Sequence, residues 1–224
     1  MRILYYDRIR LSVILCLAIG LTASGCVTAP VYMFKATVAQ PDCLQSAPER
    51  EVFVGLSVSG GGSRAALYAA SAFEALSQLR VGPEQRSLLE QVSYVSSVSG
   101  GSLASAYYNV KKPLHEVPML TPDGQLTDVY KEFFVGFKEA MMNDFEEPLL
   151  TQNLFTLRMA NPAWTATSLA ELLDYNYLKG VTFRELALRQ ARGDSPYFLI
   201  NTTLYNNGHR LVLSSLERDA LRYD

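Results

Sequence analysis

The pattern of apolar and polar residues divides most of the chain into alternating strand-like and helix-like segments. The run Val52–Val58 is continuously apolar apart from a glycine and a serine, and a glycine cluster follows it, which predicts a strand buried on both faces in a parallel sheet. In the next segment apolar residues recur at helical spacing until Gly82-Pro83; they are Ala66, Ala69, Ala70, Phe73, Leu76 and Leu79. Together these segments predict a strand-turn-helix unit.

A second unit of the same kind follows the first. The β-rich run Val92–Val98 leads through Ser99-Gly100-Gly101 into the helix-compatible segment 102–108. Two strand-turn-helix units in tandem predict a layered α/β domain with a parallel sheet.

The remaining sequence predicts an insertion and a strand pair. Residues 111–164 contain five prolines around an aromatic-rich stretch, which indicates an insertion or lid region with one or two helices that packs over the core. Residues 168–178 predict a helix. Segments 195–205 and 210–215 predict two strands joined by a hairpin turn at Asn206-Asn207-Gly208.

The N-terminal segment has the pattern of an export signal. Three arginines precede an 11-residue apolar run at 11–21, which is too short to span a bilayer alone. The following Ala23-Ser24-Gly25-Cys26 resembles the bacterial lipobox, which implies a signal peptide at 1–25 and lipidation of Cys26. We therefore expect a tether at 26–50, a domain at 51–224 and a lipid-anchored protein of the bacterial cell envelope. Val27 after the cysteine favours sorting to the outer membrane; an uncleaved signal anchor is the alternative.

Composition and charge exclude several classes of function. The 224 residues are 49% hydrophobic and 19% charged, which suits one globular domain. A net charge of −2 excludes the basic surface typical of nucleic-acid binders. Two histidines and three cysteines without metal-ligand spacing predict no metal site, and we expect no cofactor.

The first glycine cluster is a candidate anion-binding loop. In Ser59–Ala66, three residues without Cβ stand between a predicted strand and a helix, so their N–H groups can approach a ligand closely. Gly60-x-Gly62-x-x-Ala65 also fits the dinucleotide fingerprint, with Glu84 near the spacing of a ribose contact. A tight strand-to-helix turn is the third interpretation.

The second cluster is a candidate nucleophile turn. Ser97-Val98-Ser99-Gly100-Gly101 fits G-x-S-x-G except that Ser97 replaces the first glycine. On a sharp strand-to-helix turn, Ser99 would project its hydroxyl above the sheet edge, while the small residues Ser97 and Gly101 leave room for the turn and the substrate. The alternative is that Ser99 caps the following helix.

Both motifs, in this order on consecutive units, resemble the patatin-like phospholipases. The resemblance covers about residues 51–215 and implies a three-layer α/β sheet with helices on both faces. It implies an oxyanion loop at Gly60, Gly61 and Gly62 with Arg64 as its basic residue, and Ser99 as the nucleophile. The implied activity is a membrane-anchored lipid acyl hydrolase of phospholipase A or esterase type, acting on a membrane lipid or another acyl ester.

The sequence departs from the family pattern at the catalytic aspartate. The family pairs its serine with a late Asp-Gly-Gly or Asp-Gly-Ala, whereas Asp123-Gly124 in the insertion is the only Asp-Gly of this sequence. We therefore expect the C-terminal segment with this aspartate to be lacking and the chain alone to be nearly inactive. Two alternatives stay open: an esterase triad of Ser99, His209 and either Asp174 or Asp194, and an inactive envelope lipoprotein that keeps the fold.

Overall fold

The computed structural model describes residues 54–143, 146–155, 162–204 and 206–216. The predicted signal peptide, Cys26 and the tether lie outside the described residues. The chain divides into two compact units. The larger contains the described residues 54–143, 174–204 and 206–216, and the smaller contains 146–155 and 162–173.

The strands form one main sheet and a short hairpin in the larger unit. In chain order the strands are β1 (Val54–Val58), β2 (Arg80–Val81), β3 (Arg86–Ser87), β4 (Val92–Val98), β5 (Tyr197–Thr203) and β6 (Arg210–Leu213). The main sheet has the order β1-β4-β5-β6, in which β1, β4 and β5 are parallel and β6 is antiparallel to β5. The predicted strand 92–98 and the predicted C-terminal strand pair are confirmed.

The helices of the larger unit are α1 (Gly62–Ser77), α2 (Leu88–Gln91), α3 (Gly100–Lys111), α4 (Asp128–Met142) and α7 (Phe183–Ala191); in the smaller unit they are α5 (Glu146–Phe155) and α6 (Pro162–Leu173). Helices α1 and α3 follow β1 and β4 as the pattern predicts, whereas α2 and α7 were not predicted. The helix predicted at 168–178 is α6 in its first part, and its last five residues, Asp174–Leu178, form a wide π turn. The predicted α/β class, with a mainly parallel sheet flanked by helices, is confirmed.

The core of the larger unit forms where α1 packs against α3 and α4. The buried stripe of α1 consists of three alanines, Phe73 and Ser77, so neighbouring helices can approach closely. The Phe73 ring lies edge-on to Tyr108 of α3 at 4.9 Å and to Phe137 of α4 at 6.2 Å, measured between centroids. The part of the predicted insertion that forms α4 therefore packs on the core because its own apolar stripe, Tyr130, Phe134, Phe137 and Met141, faces inward.

The register of the sheet brings the two glycine motifs together. Val58 pairs with Ser97, so the turns that follow β1 and β4 leave the sheet side by side. We call this side, where β1, β4 and β5 end, the carboxyl edge, and the opposite side the amino edge. Helices α1 and α3 both begin at the carboxyl edge, which in open α/β sheets is the usual side for ligands.

Among the residues that the structure describes, every helix is too short or too polar to cross a bilayer.

Candidate active site at Ser99

Ser99 occupies a strained backbone position between β4 and α3. Its φ of 51° and ψ of −125° lie in a region that residues with a side chain rarely adopt. Such a conformation costs about 1 to 3 kcal/mol and is concentrated at functional sites. The side chain is exposed at the carboxyl edge, as expected for a serine on a sharp strand-to-helix turn.

The hydroxyl of Ser99 does not cap the helix that follows it. Ser99 stands at the N-cap position of α3, but its side chain makes no capping hydrogen bond. Its backbone carbonyl instead accepts hydrogen bonds from the N–H groups of Ser102, at 2.8 Å, and Leu103, at 3.2 Å. The capping interpretation is therefore wrong, and the hydroxyl is left without a hydrogen bond from the described residues.

The first glycine loop lies against Ser99. A Cβ placed on Gly60 would lie 2.9 Å from Cβ of Ser99 and 3.6 Å from its Oγ. A Cβ on Gly101 would lie 2.4 Å from the carbonyl oxygen of Ser59. The distances of 2.9 and 2.4 Å are shorter than real Cβ contacts. Glycine at these two positions therefore lets the Gly60 loop and the turn at Ser99 approach each other.

The electrostatic field beside Ser99 favours negative charge. Helix α1 begins at Gly62 and α3 begins at Gly100, so two helix N-termini meet at this point. First-turn N–H groups have no acceptor within their own helix, and the helix dipoles add partial positive charge. Arg64 lies exposed in the first turn of α1. The arrangement can hold an oxyanion that develops next to the Ser99 hydroxyl.

Ser97, a buried residue near the end of β4, connects this strand to α3 and β5. Its side chain is 1% exposed. Its Oγ lies 3.0 Å from Oγ of Ser102 in α3 and donates to the carbonyl of Leu199 in β5 at 3.3 Å. A glycine here would lack both contacts. Ser97, which departs from G-x-S-x-G, therefore links β4 to α3 and β5 through its side chain.

Asn201, which sequence analysis missed, supports the same turn from β5. Its Nδ2 donates to the carbonyl of Ser97 at 3.0 Å and to Oγ of Ser96 at 2.9 Å. Its Oδ1 accepts a hydrogen bond from Nε of Arg210 at 2.9 Å. The contact follows from the pairing of β4 with β5, which places Asn201 opposite Val98 and which the sequence did not reveal.

Asp123-Gly124 lies far from Ser99. The carbonyl of Asp123 accepts a hydrogen bond from the Arg80 guanidinium, and Arg80 follows the end of α1. The 16 residues of α1 span about 24 Å from the carboxyl edge to the amino edge. The only Asp-Gly of the sequence therefore does not supply the base of a Ser-Asp dyad.

The esterase triad with Asp194 is wrong. Asp194 precedes β5, and Tyr197 at the start of that strand pairs with Tyr94 near the start of β4, so Asp194 lies at the amino edge. Its carboxylate is bonded to the backbone N–H and Nδ1 of His115, at 3.1 and 2.8 Å, and to Nε of Arg192 at 3.1 Å.

Asp174 and His209, the other candidates of the alternative triad, make hydrogen bonds within their own turns. Asp174 accepts a hydrogen bond from the N–H of Gly180 at 2.8 Å. The backbone N–H of His209 donates to Oδ1 of Asn207 in the β5–β6 turn at 2.9 Å. Within the described part of the chain, no hydrogen bond links the His209 imidazole to Ser99 or to a carboxylate.

Glu84 does not suit the dinucleotide interpretation. It is exposed in the β2–β3 hairpin, beyond the end of α1 and at the amino edge. A ribose carried by a ligand on the Gly60–Gly62 loop would lie at the carboxyl edge. The acidic residue of the fingerprint is therefore on the wrong side of the sheet.

Comparison with known proteins gives a distant structural neighbour. No model of a known protein family matches the chain, and no curated protein matches it. A similar solved structure is human GIVD cytosolic phospholipase A2 in complex with a methyl gamma-linolenyl fluorophosphonate inhibitor and terbium chloride, with a TM-score of 0.45 and 20% identity. The match covers 73% of this chain and 23% of that protein, so the chain spans less than a quarter of its neighbour's length.

Proposed function

We propose that this chain is a serine lipid acyl hydrolase of patatin type, with Ser99 as its nucleophile. The observation that carries the proposal is the strained, exposed backbone of Ser99 in contact with the Gly60 loop. Strain of this kind persists only where the surrounding structure enforces it. Here Ser97, Asn201 and the close glycine contacts supply that enforcement.

The proposed reaction is acyl transfer to serine followed by hydrolysis. Oγ of Ser99 forms a bond to the ester carbonyl carbon and loses its proton, and the alcohol leaves with a proton. Water then releases the carboxylic acid and restores the serine. The amide groups of Gly60–Gly62, with Arg64 nearby, hold the charge that develops on the carbonyl oxygen, where a single donor is worth about 3 to 4 kcal/mol.

The proton acceptor for Ser99 is not supplied by the described residues. Without a general base the rate falls by about 10²- to 10⁴-fold, so we expect slow turnover from this chain. The missing contact to a base also favours the second candidate function, an inactive envelope lipoprotein that retains the fold.

Hydrolysis of p-nitrophenyl butyrate by the purified chain separates these possibilities. We expect slow turnover that is lost in Ser99→Ala and kept in Ser71→Ala, which alters an exposed serine on α1. A rate equal to that of buffer would reject the hydrolase and favour the inactive lipoprotein. Loss of turnover in His209→Ala would show that a histidine base acts on Ser99.

A further inference from the structure

A polar cavity lies at the amino edge of the sheet, on the opposite side from Ser99. Its volume is about 300 Å³, and it lies between the start of β4, the end of α3 and the segment between α7 and β5. We call it the Lys112 pocket; its polar lining includes Glu90, Ser93, Lys112, Gln190, Arg192 and Ser195. The mechanism proposed for Ser99 uses none of these groups.

The ammonium group of Lys112 has no ion-pair partner among the described residues. Its Nζ lies 5.9 Å from the centre of the Tyr108 ring. The two carboxylates nearby are already bonded elsewhere: Asp194 to His115 and Arg192, and Glu90 to the backbone N–H of Met119 at 3.3 Å, with Arg86 at 3.9 Å. The positive charge of Lys112 is therefore not neutralised by direct contact.

A second cation adjoins Lys112. Nη2 of Arg189 donates to the backbone carbonyl of Lys112 at 2.9 Å, while its Nε is buried without a hydrogen-bond acceptor in the described part of the chain. Burial and the charge of Arg189 lower the pKa of Lys112 to about 8, although Asp194 and Glu90 act in the opposite direction. Arg189 does not itself line the pocket, but its charge adds to that of Lys112, and the two neighbouring cations favour an anion in the cavity.

We propose that the Lys112 pocket binds a small oxyanion, such as a carboxylate or a phosphate, with Lys112 Nζ as the direct contact and Arg189 as a second source of positive charge. A bound oxyanion would give Lys112 the ion pair it lacks. Ser93 and Ser195 also line the cavity, where their hydroxyl groups donate to the backbone carbonyls of Gln91 and Asn109. Because the pocket and Ser99 lie at opposite edges, the proposal does not depend on the hydrolase activity.

Reductive methylation of the wild-type protein tests this directly. Formaldehyde and cyanoborohydride are applied near neutral pH, and mass spectrometry follows methylation of Lys112 and of its exposed neighbour Lys111, the internal control. We expect inorganic phosphate to slow methylation of Lys112 several-fold and saturably, because the bound anion holds the amine in its protonated form. Lys111 should be unaffected, as should both lysines in chloride of equal ionic strength.

Separate arms with acetate and glycerol phosphate identify which oxyanion binds best. Absence of protection by all three, or equal slowing of Lys111, would overturn the proposal. Lys112→Met, which keeps the apolar stem, should lose any rise in melting temperature caused by phosphate, whereas Lys111→Met should keep it. If Lys112→Met does not fold, the protection measured on the wild-type protein still decides.

Discussion

At the scale of single residues, Ser99 and Asp194 show how position in the sheet changes the role of a polar side chain. Ser99 is exposed at the carboxyl edge, where two helix N-termini meet. Asp194 is 2% exposed and bonded on both oxygens at the amino edge. The Ser99 hydroxyl makes no capping hydrogen bond, whereas the Asp194 carboxylate links His115 to Arg192.

The carboxylate of Asp194 should make stability depend on pH in the acid range. Burial raises its pKa, but hydrogen bonds from His115 and Arg192 outweigh burial and lower it to about 2. Because an unfolded aspartate has a pKa of about 3.9, the contribution is full above that pH and disappears as the pH falls towards about 2; two pKa units correspond to about 2 to 3 kcal/mol.

Asp194→Asn tests this contribution in urea unfolding measured as a function of pH. The variant should be less stable than wild type near neutral pH, and the difference should shrink below about pH 4. The control Asp128→Asn removes an exposed ion pair with Lys131 and should change little. A deficit for Asp194→Asn that stays constant down to about pH 2 would contradict the assignment.

At the scale of elements, periodicity predicted most strands and helices of the larger unit. The β-rich run of β4, in which Val92 and Val95 are buried, and the helical spacing in α1 both reflect burial against neighbouring elements. The amide contact from Asn201 to the carbonyl of Ser97 could not be predicted, because it depends on the register of two strands about 100 residues apart. The location of Asp123 likewise required the path of the chain after α3.

The close packing of β1 against the start of α3 predicts the effect of Gly101→Ala. The added Cβ would lie 2.4 Å from the carbonyl of Ser59 and 2.7 Å from that of Val58, both backbone atoms. We expect a loss of about 1 to 3 kcal/mol in the free energy of unfolding, measured in urea, together with a slower reaction of Ser99.

Gly136→Ala is the matched control for that substitution. Gly136 lies within α4, and a Cβ there would have no neighbour within 4 Å. The free energy of unfolding should rise by up to about 1 kcal/mol because alanine favours the helix. Equal effects of the two substitutions would show that the loop and the turn are not in the proposed contact.

At the scale of the whole molecule, we propose that the envelope anchor predicted from the sequence and the hydrolase site act together. The anchor rests on the lipobox-like sequence around Cys26, and the site rests on the geometry at the carboxyl edge. A lipid anchor would place the domain at a membrane surface, where acyl ester substrates are concentrated. Two acyl chains suffice for stable attachment, whereas one does not.

Cys26→Ser tests the anchor in a bacterial host. If Cys26 is lipidated, palmitate labelling should be lost and the precursor should remain uncleaved by lipoprotein signal peptidase. Cys43→Ser is the control and should leave labelling unchanged, because Cys43 lies outside the lipobox-like sequence. Palmitate labelling that survives in Cys26→Ser would contradict the lipid anchor.

The central claim is that Ser99 is the reactive nucleophile of this chain, and covalent labelling tests it most directly. The protein is incubated with a fluorophosphonate probe, and the modified peptide is identified by mass spectrometry. We predict a single adduct on Ser99, absent in Ser99→Ala, unchanged in Ser71→Ala and unaffected by added NAD. An adduct on a different serine, or no adduct on any serine, would contradict the account.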